Sequence, residues 1–360
     1  MFLKLTIINL GGPRNTEEIL KFLLDLFRDP FVFDLPIPEF FRYRLATRIA
    51  TKRAPVVADS YKAMGFGGGS PLYSETVKQA EALKSLLEKK TQKTWEVRTM
   101  MTCGEPNIRN LKPEDLIPSK ENIFLPLFPQ YSRSTTMSLA KIMESITGFC
   151  PGSDLEKPCK KECRSREGKF CPGKGYGWIS SFSDDPEFIK SISDLIIHFF
   201  LNQLDKDTFI NYSPTEIKDW ETIPILFSAH GIPMRLIKKG DIYQKSIEDN
   251  AESITSALRS RGYKGQTFLS YQSRVGPGKW TSPNTIDKLK ELGQSGIKRI
   301  AIYPISFVSD HLETLIEIGE ELKEIARESG ITEYHRIPAP GSFPAFIDFL
   351  ANLVIKHSEG

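Results

Sequence analysis

Apolar and polar positions in this chain switch repeatedly between a two-residue and a 3.6-residue period. Phe2–Leu10 is a strand-like apolar run, and Thr16–Phe27 carries Ile19, Phe22, Leu23 and Leu26 at helical spacing. A helix is predicted over Val77–Leu87, a strand over Trp95–Met101, a strand over Asn122–Phe128 stopped by Pro129, and a helix over Thr135–Ile146. Past an irregular tract, Phe188, Ile192, Leu195, Ile196, Phe199 and Phe200 share one helical face. The theme then repeats: strand Ile223–Ala229, helix Tyr243–Arg259, strand Thr267–Tyr271, helix Thr285–Leu292, strand Arg299–Tyr303 and helix Leu315–Ile325. A last helix places Phe346, Phe349, Leu350, Leu353 and Val354 on one face.

Strands that alternate with helices build parallel sheets with helices packed on them. Two rounds of alternation predict an α/β protein of two doubly wound, Rossmann-like lobes, with the natural ligand site in the cleft between them. The expected division is an N-terminal lobe over 1–149, an insert over 150–177 and a C-terminal lobe over 178–342, with helix 343–357 returning to the N-terminal lobe.

Composition narrows the function classes. A net charge of +3 gives no basic excess of the kind that marks a nucleic-acid binder. No stretch approaches the run of about 20 apolar residues that spans a bilayer. The short apolar N-terminus runs into Gly11-Gly12-Pro13 with no cleavage-site pattern, so a first buried strand and a cytoplasmic location are expected.

Candidate chemistry concentrates in two histidine segments, Phe227–Pro233 and Ser309–Leu315, each directly after a strand-like run. Ligands of open parallel sheets bind beyond the carboxyl ends of the strands, so His230, His311 and Glu313 can share one rim. Two imidazoles and a carboxylate suit proton transfer or transient metal binding. His198, His335 and His357 carry no flanking signal. Glu313 and Glu317 share a helix face, whereas Glu320, Glu321 and Glu324 read as a solvated surface.

Cys150, Cys159, Cys163 and Cys171 form a compact Lys/Gly/Pro-rich tract, outside which Cys103 stands alone. Four thiolates here suggest a tetrahedral-sulfur site holding either zinc or an iron–sulfur cluster. Near the N-terminus, Phe27, Phe31, Phe33, Phe40 and Phe41 form either an apolar lip that touches a membrane surface, or the buried side of a helix pair.

Leu10-Gly11-Gly12-Pro13, Gly68-Gly69-Ser70-Pro71-Leu72, Pro129–Thr136, Phe227–Pro233 and the run from Tyr271-Gln272-Ser273-Arg274-Val275-Gly276-Pro277 through Trp280 to Glu317 occur in one order. In these segments the chain closely resembles the ferrochelatase family, which inserts ferrous iron into a porphyrin. The resemblance implies two lobes around a porphyrin cleft and His230 as acceptor of the pyrrole protons, with a metal-ligand role for this histidine as the alternative. It implies that Glu313 faces His230, that His311 orients Glu313 or shares its proton, and that His230, Glu313 and Glu317 lie on the path of the ferrous-ion substrate. Arg53 and Ser70 fall where porphyrin propionates are held; Tyr131, Ser132, Ser134 and Thr135 offer further polar contacts at a strand-to-helix turn, where an ordinary helix cap is the competing reading. The cysteine tract is similar to the insert that carries a 2Fe-2S cluster in some ferrochelatases, with zinc as the alternative.

One departure stands out: where many family members have an Arg-Tyr pair, this chain has Thr102-Cys103, and Cys103 is either a soft ligand or a small buried residue. The expected reaction is synthesis of protohaem from protoporphyrin IX, with coproporphyrin as the competing substrate. A non-catalytic porphyrin- or haem-binding iron or redox sensor is the reading from another class. A nucleotide-binding protein rests only on Gly11-Gly12-Pro13, which lacks the full glycine fingerprint.

Overall fold

The structure is a computed structural model, and it describes residues 3–35, 37–112, 115, 119–147, 176–212, 216–274 and 278–359. The chain divides into two compact units, one ending at Ser181 and joined by the C-terminal residues from Leu350, the other Phe182–Phe349.

In the first unit, strands β1 (Leu3–Asn9), β2 (Trp95–Met101), β3 (Ser119–Pro126) and β4 (Tyr176–Trp178) form a parallel sheet in the order β2-β1-β3-β4. Helices α1 (Ile19–Arg28), α2 (Glu39–Ala63), α3 (Leu72–Thr91) and α4 (Ser138–Thr147) accompany it. Ile8, Met100, Phe124 and Trp178 on the strands pack with Leu139, Ala140, Ile142 and Met143 of α4. β1 is almost continuously buried, Thr6 and Asn9 included, with Lys4 half-buried, as befits a strand inside a parallel sheet.

The chain leaves β1 through Leu10-Gly11-Gly12-Pro13, which folds back on the end of β2: Cys103 N–H donates to Leu10 O (2.8 Å). Gly11 has φ +93°, and a Cβ there would lie 1.9 Å from Cys103 O, so the approach needs glycine.

In the second unit, β5 (Ile225–His230), β6 (Thr267–Gln272), β7 (Arg299–Tyr303) and β8 (Glu333–Arg336) form a second parallel sheet, ordered β6-β5-β7-β8. Its helices are α5 (Pro186–Phe200), α6 (Met234–Lys238), α7 (Tyr243–Arg259), α8 (Thr285–Gln294) and α9 (Leu322–Glu328), with α10 (Pro344–Glu359) ending the chain. Leu226, Ile300 and Ile302 pack against Leu289 and Leu292 of α8 and against Ile318, Leu322 and Ala326. Side-chain caps start two of these helices: Asp185 accepts from Glu187 N–H (2.8 Å), and Asn284 from Ile286 N–H (2.9 Å).

Two segments depart from the sequence expectation. The helix expected over Leu315–Ile325 is a π-helix over Glu313–Glu321 that passes into α9. The 25-residue α2 was not predicted, because its buried positions are Arg42, Ala46, Ala50 and Tyr61 while Phe40 and Phe41 face solvent. Its hydrophobic pattern therefore does not follow its burial.

Candidate active site

β5 leaves the centre of its sheet toward β6 on one side, and the chain later returns to β7 on the other. The crevice at the carboxyl ends of β5 and β7 is thus a topological switch point, where parallel sheets bind ligands. His230 is the last residue of β5, and the segment after β7 supplies Ser306, His311 and Glu313. Gly231 ends the strand by pressing onto β6, its N–H donating to Gln272 O (2.8 Å); a Cβ there would meet the same oxygen at 2.8 Å.

His230 is fixed at three atoms. Its N–H donates to Ser306 Oγ (2.9 Å), its carbonyl accepts from Tyr243 Oη (3.0 Å), and its Nδ1 meets Glu313 Oε2 (2.8 Å). The other Glu313 oxygen, Oε1, faces His311 Nε2 at 3.8 Å, while His311 Nδ1 donates to Ser309 O (3.2 Å). The ring of Phe307 lies against His311, with centroids 4.6 Å apart. The structure therefore brackets Glu313 between the two histidines named from sequence.

Glu317, one turn along the π-helix, joins the same group through Ser273, whose Oγ lies 2.7 Å from Glu313 Oε2 and 2.5 Å from Glu317 Oε2. Glu320, Glu321 and Glu324 are exposed, as a solvated face requires. Asp310 is buried and tied to Arg336 Nη1 (3.0 Å), which anchors the segment leading to His311.

Burial pushes the His230 imidazole toward its neutral form, but the Glu313 carboxylate, by charge and hydrogen bond, more than offsets this and raises the histidine above its ordinary value. The side chain keeps 39% exposure, so the desolvation it feels is partial and the ion pair prevails. Burial works against Glu313 ionising too, yet His230 and His311 hold it well below the carboxylate range. For Glu317, burial and the adjacent Glu313 charge act together and push it up to about 7. A lone neutral imidazole is thus replaced by a His230–Glu313 pair that shares a proton, next to a second acid that titrates near neutrality.

The remaining expected contacts belong to the first unit and are described within it. The Arg53 guanidinium lies over the Phe27 ring at 5.9 Å. Ser70 Oγ accepts from Leu72 N–H (3.2 Å) at the start of α3, a helix-capping contact. Ser132 is buried, its hydroxyl accepting from Ser134 N–H (3.3 Å) and lying 3.0 Å from Ser134 Oγ; its carbonyl accepts from Thr135 N–H (3.3 Å). Tyr131 is buried beside it. Burial raises the Cys103 thiol to about 12, which suits a small packed residue better than a thiolate ligand. Phe27 and Phe33 pack edge to face at 5.9 Å, whereas Phe40 and Phe41 are 62% and 60% exposed. Cys150, Cys159, Cys163 and Cys171 lie outside the described residues.

Among the described residues no cluster of three or more His, Cys, Asp or Glu side chains has the arrangement of a metal site. Sequence reasoning gave no role to Ser273, Tyr243, Ser306 or Gln272. Ser273 and Gln272 lie inside a quoted motif but look like ordinary polar residues until the strand end is folded.

The chain is thus an α/β protein with a His230–Glu313–Glu317 group at the carboxyl rim of a parallel sheet. The ferrochelatase family model matches residues 5–358. The ferrochelatase of Leptospira borgpetersenii is 52% identical over 98% of this chain and 91% of its own length, and that of Leptospira biflexa 48% over 99% and 91%. A cyanobacterial ferrochelatase, from Gloeothece citriformis, is 37% identical over 97% of the chain and 81% of its own length. The chain belongs to the ferrochelatase family, enzymes that insert iron into a porphyrin.

Proposed function

We propose that the protein inserts ferrous iron into protoporphyrin IX, making protohaem and releasing two protons. The observation that carries this reading is the hydrogen-bonded His230–Glu313 pair at the switch point, with Glu317 attached through Ser273. A free-base porphyrin carries two inner N–H protons, and a divalent ion takes their place only as both leave. With its shared proton passed on to Glu317, which is poised near neutrality, the neutral His230 accepts a pyrrole proton and Glu313 stabilises the imidazolium that forms. His311 holds the far oxygen of Glu313. Arg53, Ser70, Tyr131, Ser132, Ser134 and Thr135 serve the propionates in this reading; the partly exposed Arg53 is best suited, and Ser70 also caps a helix.

The exposed Phe40 and Phe41, with Arg44 and Arg48 on the same helix, support peripheral contact with an anionic membrane surface. No helix among the described residues is long and apolar enough to cross a membrane. The four-cysteine tract supports a 2Fe-2S cluster, with zinc as the alternative, and metal insertion is not a redox reaction, so it needs no electron transfer through the cluster. Replacing Cys159 by Ser should bleach the visible absorbance of a cluster-loaded protein.

Anaerobic turnover tests the main reading. Wild type, mixed with ferrous iron and protoporphyrin or coproporphyrin, should form haem faster with protoporphyrin, and His230→Ala should lose about 100-fold or more of the rate. Faster insertion into coproporphyrin would reassign the substrate. Tight porphyrin binding without insertion would point to a sensor.

A further inference from the structure

We infer that Ser273 is a positioning residue for metal insertion: its hydroxyl, presented by left-handed backbone, clasps the Glu313 and Glu317 carboxylates and keeps Glu313 aimed at His230. The inference rests on the function proposed above.

Its first support is the backbone. Ser273 has φ +61°, a region that glycine, asparagine and aspartate favour and that serine adopts rarely. Such conformations persist where the surroundings over-determine them, often at functional sites.

The second support is geometry. Gln272 ends β6 opposite His230 in the sheet register. Were the strand to continue, the side chains of residues 272 and 273 would point to opposite faces. The left-handed turn brings both to the same acids: Ser273 Oγ lies 2.7 Å from Glu313 Oε2 and 2.5 Å from Glu317 Oε2, and Gln272 Nε2 reaches Glu317 Oε2 at 3.5 Å. Gln272 is itself buried and held through its Oε1 by Ser228 Oγ (2.6 Å).

The third support is hydrogen-bond valence. A hydroxyl offers one hydrogen and two lone pairs. Bridging two carboxyl oxygens, it donates its one hydrogen to the ionised Glu313 and accepts from Glu317 when that acid is protonated, so the clasp joins two acids that would repel as a pair of free anions. Removing it frees Glu313 to swing from His230, whose Nδ1, among the described residues, is hydrogen-bonded to that carboxylate.

The test uses Ser273→Gly, which suits the left-handed backbone and deletes the hydroxyl, and Ser273→Asn, which tolerates the same backbone and restores N–H donors. Both are assayed for iron insertion beside wild type, with KM for porphyrin, kcat and Tm measured. The Gly variant should keep its Tm and KM and lose about 10- to 100-fold in kcat, as a misaimed acid–base pair does. The Asn variant should recover part of kcat. Unchanged kcat in the Gly variant would overturn the inference, as would a raised KM at unchanged kcat, which would put the hydroxyl on the substrate. A fall in Tm in both variants with no recovery by Asn would make the role structural and also overturn it. An inert wild type would instead defeat the function beneath it.

Discussion

Replacing Glu317 by Gln should make the protein more stable while slowing it. Burial and the neighbouring Glu313 charge raise this acid from the ordinary 4.5 to about 7. In the unfolded chain it returns to its ordinary value, so between pH 4.5 and 7 the native state binds more protons than the unfolded one. Stability contributed by this group is full below pH 4.5 and is lost as pH rises through 7. At about 1.4 kcal/mol for each tenfold change in proton affinity, the loss is on the order of 3 kcal/mol. Gln carries no charge at any pH and keeps the shape of the protonated acid. Denaturant unfolding at pH 4.5 should therefore give nearly equal midpoints for the two proteins. At pH 8 the variant should be more stable by up to about 3 kcal/mol, with an unchanged m-value. The same variant should insert iron more slowly, because it can no longer relay a proton. Equal stability at pH 8, or a less stable variant there, would refute the assignment of a strained, partly protonated Glu317.

Tyr243→Phe removes the hydroxyl that donates to His230 O, and should lower kcat about tenfold with little change in porphyrin KM, measured by steady-state haem formation. Gly11→Ala forces a Cβ against Cys103 O at positive φ and should cost at least about 2 kcal/mol in urea unfolding. Asp310→Ala leaves the partly buried Arg336 without its carboxylate and should cost about 3 kcal/mol in the same assay.

The strands were the most legible part of the fold. β2 and β7 match their expected bounds; β7 is a bounded apolar run because it is buried on both faces, whereas β2, at the sheet edge, carries Glu96, Arg98 and Thr99 among its apolar residues. Helix α2 was illegible for the opposite reason. Its inward residues are an arginine, alanines and a tyrosine, and its phenylalanines point outward, so the usual link between apolar and buried is reversed. In the site, His230, His311, Glu313 and Glu317 could be named because strand-end placement and family resemblance coincide. Ser273 could not, since its importance lies in a backbone conformation that no side-chain pattern encodes. Nor does composition reveal that Glu313 would raise His230 while Glu317 is pushed toward neutrality; that needs the 2.8 Å His230–Glu313 contact and the burial of Glu317 beside the Glu313 charge.

The rim at the end of the second sheet draws its parts from three neighbouring strands, and this has a kinetic consequence. His230 and Glu313 are 83 positions apart, His230 and Ser306 are 76, and Ser273 and Glu317 are 44. Each contact closes only after an intervening crossover has been laid down, so the site is among the costliest in loop entropy. Topologies rich in such distant pairings fold slowly. During refolding, helical signal should therefore return well before the capacity to insert iron, and a chain still emerging from the ribosome is chemically silent until the segment around Glu317 has joined the sheet.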